Sequence, residues 1–391
     1  MSALPAIYLD YAATTPLDPR VWEAMAPFAL EAFANPASLH EPGKRAKRAL
    51  DDARHRVATC LGGVDPSTIL WTGGGTEADN LGVLGIARAL KEKGRHVVTS
   101  AAEHAAVLEA CQALEREGFA VTYLPTNAVG QVEPQAVVAA LRPDTVLVAV
   151  MHGNNEVGAL NDLPAIGVLC RERGVHFHVD AVQTVGKLPL DLASLPVDSL
   201  AVSAHKFYGP KGVGFLYLAQ GAVRPVPLAF GGGQETGLRP GTVNVAGAVG
   251  LAMALELALE TAEAEAQRLR DLARRLLDGL HERLPGRFEH NGPPLEQGVP
   301  GIVNVSFPPL EGETLVIKLA MRGIAVSSGS ACHSERIEPS HVVLAMGKPE
   351  AVTRGTVRFS MGKGTGGAEV VSVLDALGML LPKLLDKRRP A

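Results

Sequence analysis

Three short stretches hold side chains that could act on a small molecule. The segment Val202-Ser203-Ala204-His205-Lys206-Phe207-Tyr208-Gly209-Pro210-Lys211-Gly212 ends an apolar run with a hydroxyl, an imidazole and an amine in a glycine-bounded turn. An amine placed in this way can form a Schiff base with a carbonyl. Val175-His176-Phe177-His178-Val179-Asp180-Ala181-Val182-Gln183 puts Asp180 at the carboxyl end of a strand-like run, where an isolated ionised carboxylate is costly without a partner. Trp71-Thr72-Gly73-Gly74-Gly75-Thr76-Glu77-Ala78-Asp79-Asn80 joins a strand to a helix through glycines, so that backbone N–H groups at the helix start can hold a phosphate. It has neither the lysine of a P-loop nor the spacing of a dinucleotide fingerprint, which leaves a monophosphate as the natural guest. Each stretch has a plainer reading by itself: a loop lysine is usually a solvated charge, and Asp180 is as readily a helix N-cap. Taken together, a phosphate cup, a carboxylate suited to a pyridinium nitrogen and a Schiff-base lysine converge on pyridoxal phosphate, whose protonated ring is an electron sink.

Two further residues extend this set. Arg358, in Thr356-Val357-Arg358-Phe359-Ser360, is an arginine with apolar flanks, and its fork of donors suits a bidentate grip on a carboxylate; a structural ion pair is the alternative. Cys332 lies in the small, polar run Val326-Ser327-Ser328-Gly329-Ser330-Ala331-Cys332-His333-Ser334, whereas Cys60, Cys111 and Cys170 sit in helical, apolar contexts and read as core fillers. The four cysteines show no paired spacing, which argues against a disulfide framework and against a dedicated metal site. Any important cysteine acts alone.

The elements that must position these residues follow from periodicity. From about Pro66 to Leu218 apolar runs such as Val146 to Met151 and Val175 to Val179 alternate with helical stretches such as Leu163 to Arg173. The pattern predicts an α/β fold with a mostly parallel sheet covered by helices on both faces, and such sheets bind ligands at the carboxyl ends of their strands. Asn244 to Leu284 reads as one long connecting helix with a domain boundary near Leu259 to Glu263. Strands near Ile302 to Phe307 and Thr356 to Ser360 and a last helix near Ala368 to Leu385 predict a smaller α+β part. The division expected is therefore residues 15–260 for the large domain, and 1–14 with 261–391 for the small one.

With 391 residues the chain can bury a sizeable core. Its net charge of -4 is mixed along the sequence, so no nucleic-acid footprint or membrane patch is indicated. Met1-Ser2-Ala3-Leu4-Pro5 has no basic region followed by an apolar run, and longer apolar stretches are cut by Gly, Pro or charge, so a soluble, cytoplasmic protein is expected.

The whole chain resembles the NifS/IscS-type cysteine desulfurases, within the class V aminotransferase group of fold-type I pyridoxal-phosphate enzymes. The likeness runs from Tyr8-Leu9-Asp10-Tyr11-Ala12-Ala13-Thr14-Thr15-Pro16 through Asn35-Pro36-Ala37-Ser38 to Arg358-Phe359-Ser360. It implies a seven-stranded sheet in the large domain, with Lys206 as the Schiff-base lysine, Asp180 on the ring nitrogen, and Gln183 and Asn155 near the ring's phenolic oxygen. His104 of Ala102-Glu103-His104 would stack on the ring and shuttle a proton. Gly75, Thr76, Ser203 and His205 match the phosphate ligands, and Thr242 is similar to one donated across a homodimer interface. The Ser-Ser-Gly-Ser-Ala-Cys run resembles the group I signature, which makes Cys332 the carrier of a persulfide formed as L-cysteine becomes L-alanine; at most it would ligate an Fe–S cluster transiently. Arg358, with Asn155, would hold the substrate carboxylate. A selenocysteine lyase or another class V aminotransferase is the alternative activity. The resemblance also implies transfer of sulfur to a scaffold or carrier protein. At Leu385-Asp386-Lys387-Arg388-Arg389-Pro390-Ala391 the chain stops soon after its last helix, where housekeeping members have a longer tail for the scaffold.

Overall fold

A computed structural model describes residues 7–328 and 339–386. A short strand β1 (Ile7–Tyr8) is followed by two helices, Pro19–Leu30 and Glu41–Cys60, and then by the seven strands of the main sheet. These are β2 (Ile69–Thr72), β3 (His96–Ser100), β4 (Ala120–Leu124), β5 (Thr145–Ala149), β6 (His176–Asp180), β7 (Ser199–Ser203) and β8 (Gly214–Leu218), in the spatial order β2-β8-β7-β6-β5-β3-β4. Only β8 runs against its neighbours; the other pairings, β4 to β3, β3 to β5, β5 to β6 and β6 to β7, are parallel. The runs that form β3, β5, β6 and β7 are buried throughout, as expected for parallel strands covered on both faces. The mostly parallel seven-stranded sheet expected from the sequence is thus present.

The long connecting helix is two helices. Val245–Leu259 and Ala262–Arg283 meet at a bend of 68°. Their surroundings differ: the first is apolar on nearly every side and packs against Pro19–Leu30 and Glu41–Cys60, whereas the second buries one stripe, Ala266, Leu269, Ala273, Leu276 and Leu280, against the helix Gly367–Asp386. A straight helix could not serve both cores. Glu260 and Thr261 take up the bend, and neither Gly nor Pro marks it, so periodicity alone read through it.

The second core gathers around β9 (Glu289–Asn291), β10 (Ile302–Ser306) and β12 (Thr356–Ser360), an antiparallel sheet in the order β12-β10-β9, with β11 (Ile324–Ala325) pairing with β1. Leu9 from the amino-terminal segment packs into this core. Among the described residues no single helix is long and apolar enough to cross a membrane.

Candidate active site

The carboxyl ends of β2, β3, β5, β6 and β7 open onto one cleft of about 460 Å³. After β2 the chain turns through Gly73 and Gly74 into the helix that begins at Gly75. Gly74 has φ +147°, and a Cβ on Gly75 would stand 2.7 Å from a Val182 methyl. Glycine is therefore required for this close turn. Thr76, Ser203 and His205 surround the turn, a polar end suited to an anion.

Asp180 is the last residue of β6 and is only 6% exposed. One of its oxygens accepts the Val182 N–H at 2.9 Å. Burial raises its acid above the ordinary carboxylate range, while His104 and Lys206 pull the other way. A cationic N–H donor is the partner that suits such a buried carboxylate. Lys206 follows β7 in a short 3-10 turn, and its Nζ donates to the carbonyls of Ala12 and Ala13, each at 2.8 Å. Burial, and secondarily the Arg358 charge, lower the lysine to about 8, so an appreciable share is free amine near neutral pH.

His104 caps the helix Ala105–Arg116, its Nδ1 accepting the Ala106 N–H at 3.1 Å; an accepting Nδ1 places the ring proton on Nε2 when the imidazole is neutral. Gln183 donates to the Ala12 carbonyl at 2.8 Å and accepts from Lys187 Nζ at 2.9 Å. His205 Nδ1 meets Thr14 Oγ1 at 3.1 Å, and burial lowers this imidazole to about 4, so it is a neutral donor or acceptor.

On the opposite wall Arg358 projects from β12, with Nη2 2.8 Å from Asp10 Oδ1 and Nη1 2.8 Å from the Asn155 carbonyl. Among the described residues its buried Nε has no partner. The ion-pair reading of Arg358 is therefore met in part, by Asp10. Ser327 exchanges backbone hydrogen bonds with Arg358, and His341 Nε2 contacts the Glu103 carbonyl at 2.9 Å. Both Ser327 and His341 line the cleft, and they stand on either side of the segment that contains Cys332, which lies outside the described residues. Cys60, Cys111 and Cys170 have thiols that burial pushes up to about 11, 12 and 12, values that leave almost no thiolate at neutral pH.

The cleft thus collects Gly75, Thr76, His104, Asn155, Asp180, Gln183, Ser203, His205, Lys206 and Arg358. Thr242 is not among them: it is exposed, on a segment tied to the phosphate-type turn by Arg239 Nε, which donates to Glu77 Oε1 at 2.9 Å. Sequence reasoning missed Asp10, Asp79, Glu103 and Lys187. Asp79 stood in the quoted glycine-rich stretch and Glu103 next to His104, but nothing local showed that either would be fully buried.

The seven strands of the main sheet, β2 to β8, the turn and the lysine define the class. The family model for aminotransferase class-V matches residues 7–373. A cysteine desulfurase IscS from Dictyoglomus turgidum is 43% identical over 97% of this chain and 95% of its own length. Among solved structures, a NifS-like protein superposes with a TM-score of 0.89 at 38% identity, covering 96% of this chain and 99% of the other. A structure described as SspA in complex with cysteine gives 0.79 at 36% identity, covering 91% and 99%. The chain belongs to the class-V aminotransferase family, in the branch of the cysteine desulfurases.

Proposed function

We propose that the cleft binds pyridoxal phosphate and that the protein converts L-cysteine to L-alanine, placing the sulfur on Cys332. The observation that supports this most is that Lys206, Asp180, His104 and Arg358 line the same cleft as Ser327 and His341, the described flanks of the Cys332 segment. The residues fit the cofactor: Asp180 is a buried carboxylate suited to a cationic N–H, Lys206 a partly neutral amine, and the Gly74–Gly75 turn leaves room that a Cβ would fill. Gly75, Thr76, Ser203 and His205 would hold its phosphate, Asp180 its ring nitrogen, Gln183 and Asn155 its phenolic oxygen. When bound, the group supplies an electron sink for charge that develops at the substrate Cα.

Arg358 holds the substrate carboxylate with its guanidinium, whose charge it shares with Asp10. Lys206 Nζ, as free amine, takes the Cα proton. Asp180 would stay ionised and hold the cofactor's ring nitrogen. His104 Nε2 relays the thiol proton. The Cys332 thiolate forms an S–S bond to the substrate sulfur as the C–S bond breaks; the electron pair stays with Cβ, which gains a proton and becomes the methyl of alanine. The small-domain residues 1–14 and 261–391 carry the sulfur loop in this reading, and residues 15–260 the cofactor. A homodimer, with Thr242 lent to the partner's phosphate site, and transfer of the persulfide sulfur to a scaffold or carrier protein complete it.

The test is to incubate the yellow, cofactor-loaded protein with L-cysteine and dithiothreitol. Alanine and sulfide should appear in equal amounts, and Lys206→Ala should lose roughly 1,000-fold or more in rate, as for removal of a combined nucleophile and base. A yellow protein that yields no sulfide from cysteine would contradict the reading.

A further inference from the structure

Period-two geometry puts His176, His178 and Asp180 on one face of β6. On that face His178 is fully buried and has two partners: Nε2 lies 3.2 Å from Asp79 Oδ1, and Nδ1 lies 2.9 Å from Ser199 Oγ. Ser199, opposite His178 on β7, also stands 2.9 Å from His176 Nε2. Four side chains thus form an unbroken hydrogen-bonded chain from Asp79, which lines the cleft, to His176 at the far end of β6, where Asp198 acts on it. The covering helix makes room for this chain. Residues Leu81–Gly85 form a π-helical turn, and a Cβ on Gly82 would lie 2.1 Å from the His178 ring. Turns of this kind recur at functional sites.

The chain has only two possible polarities. Burial lowers His178 to about 3 and His176 to about 4, so both rings are neutral near pH 7, each with one N–H and one lone pair. The contact of His178 with Asp79 is then a hydrogen bond and not an ion pair. The Ser199 hydroxyl donates to one ring and accepts from the other. Either Asp79 O–H donates to His178 Nε2, or the order reverses and His178 Nε2–H donates to an Asp79 carboxylate. The groups that face Asp79 select the first order: Asp79, Glu103 from the loop before His104 and Asp180 from β6 are three carboxyl groups only 1%, 0% and 6% exposed, and burial together with the other two favours the neutral acid of Asp79. Asp180, by contrast, has His104 and Lys206 favouring its charged form.

We propose that Asp79 is a positioning residue, a neutral acid that donates its proton into the chain His178–Ser199–His176, so that the negative charge of the cleft floor is reserved for Asp180. The consequence for the reaction rests on the pyridoxal-phosphate reading: a neutral Asp79 leaves Asp180 as the one carboxylate that sets the charge on the ring nitrogen.

The test is nitrogen-15 NMR of the histidine rings, on cofactor-loaded protein and on protein stripped of cofactor, with the His178 signals assigned by their loss in His178→Asn. The expected state of His178 is the Nδ1–H tautomer with an unprotonated Nε2. An Nε2–H tautomer, or an imidazolium, overturns the proposal. Ser199→Ala cuts the chain and frees His178 to donate to an Asp79 carboxylate. The added negative charge should raise the pH midpoint of the bound cofactor's visible absorption by about one unit. An unchanged midpoint at an unchanged melting temperature also overturns it. A protein that takes up no pyridoxal phosphate would defeat the cofactor reading alone, and the tautomer would still decide the chain.

Discussion

The wall of the cleft that carries Asp180, Ser203 and Lys206 comes from the ends of two adjacent strands, β6 and β7, whereas the wall that carries Arg358 is assembled from residues as far apart as Asp10, Asn155 and Ser327. The first wall holds groups that burial pushes toward neutrality, Lys206 down and Asp180 up. On the second, the charge of Arg358 is already partly met by Asp10. One wall is therefore poised to gain a charged partner, and the other must share a partner it has. In the proposed reaction that difference separates cofactor from substrate: the cofactor relieves two buried groups at once, while the substrate carboxylate joins an existing pair and can leave again.

The comparison can be broken at several points. The largest effect concerns Lys206, lowered from 10.5 to about 8. Near neutral pH the free-amine fraction is then about 300-fold that of an ordinary lysine. Only the neutral amine is nucleophilic, so covalent capture of pyridoxal phosphate by stripped protein should speed up as pH rises and level off above a midpoint near 8, followed by stopped-flow absorbance. A rate still climbing steeply toward pH 10 would show that this wall is not poised. On the other wall, Arg358→Ala should raise KM for cysteine by about 30-fold, the lower end expected for truncating one partner of a buried charge pair, with cofactor content unchanged. Arg358→Lys should recover only part of the loss, because an ammonium lacks the planar fork. Loss of cofactor from Arg358→Ala would mean that the two walls are not separable. The smallest effect is on folding. Gly82→Ala drives a methyl against the His178 ring and should destabilise the protein by about 1–3 kcal/mol, read from the denaturant midpoint.

The same contrast explains what the sequence disclosed. Asp180 and Lys206 were legible because an apolar strand and a turn are local patterns, and the carboxyl end of a parallel strand is where chemistry gathers. The glycine-rich turn before Thr76 was legible for the same reason. The pairing of Arg358 with Asp10 joins residues 348 apart, and no local period encodes it. Nothing in the local sequence marks Glu103 and Asp79 as buried, because their burial comes from the packing of distant elements around them. The bend at Glu260 and Thr261 falls inside the boundary expected near Leu259 to Glu263, but the break in the helix escaped because both sides of it are good helix formers, and what divides them is the choice between two cores.

The most direct test of the account is mass spectrometry of the peptide containing Cys332 after a single turnover of L-cysteine with no added thiol reductant. The account predicts one extra sulfur atom on Cys332 in the wild-type protein and none in Lys206→Ala, with Cys60, Cys111 and Cys170 unmodified in both. Alanine formed in step with cysteine loss while Cys332 carries no added sulfur would contradict it.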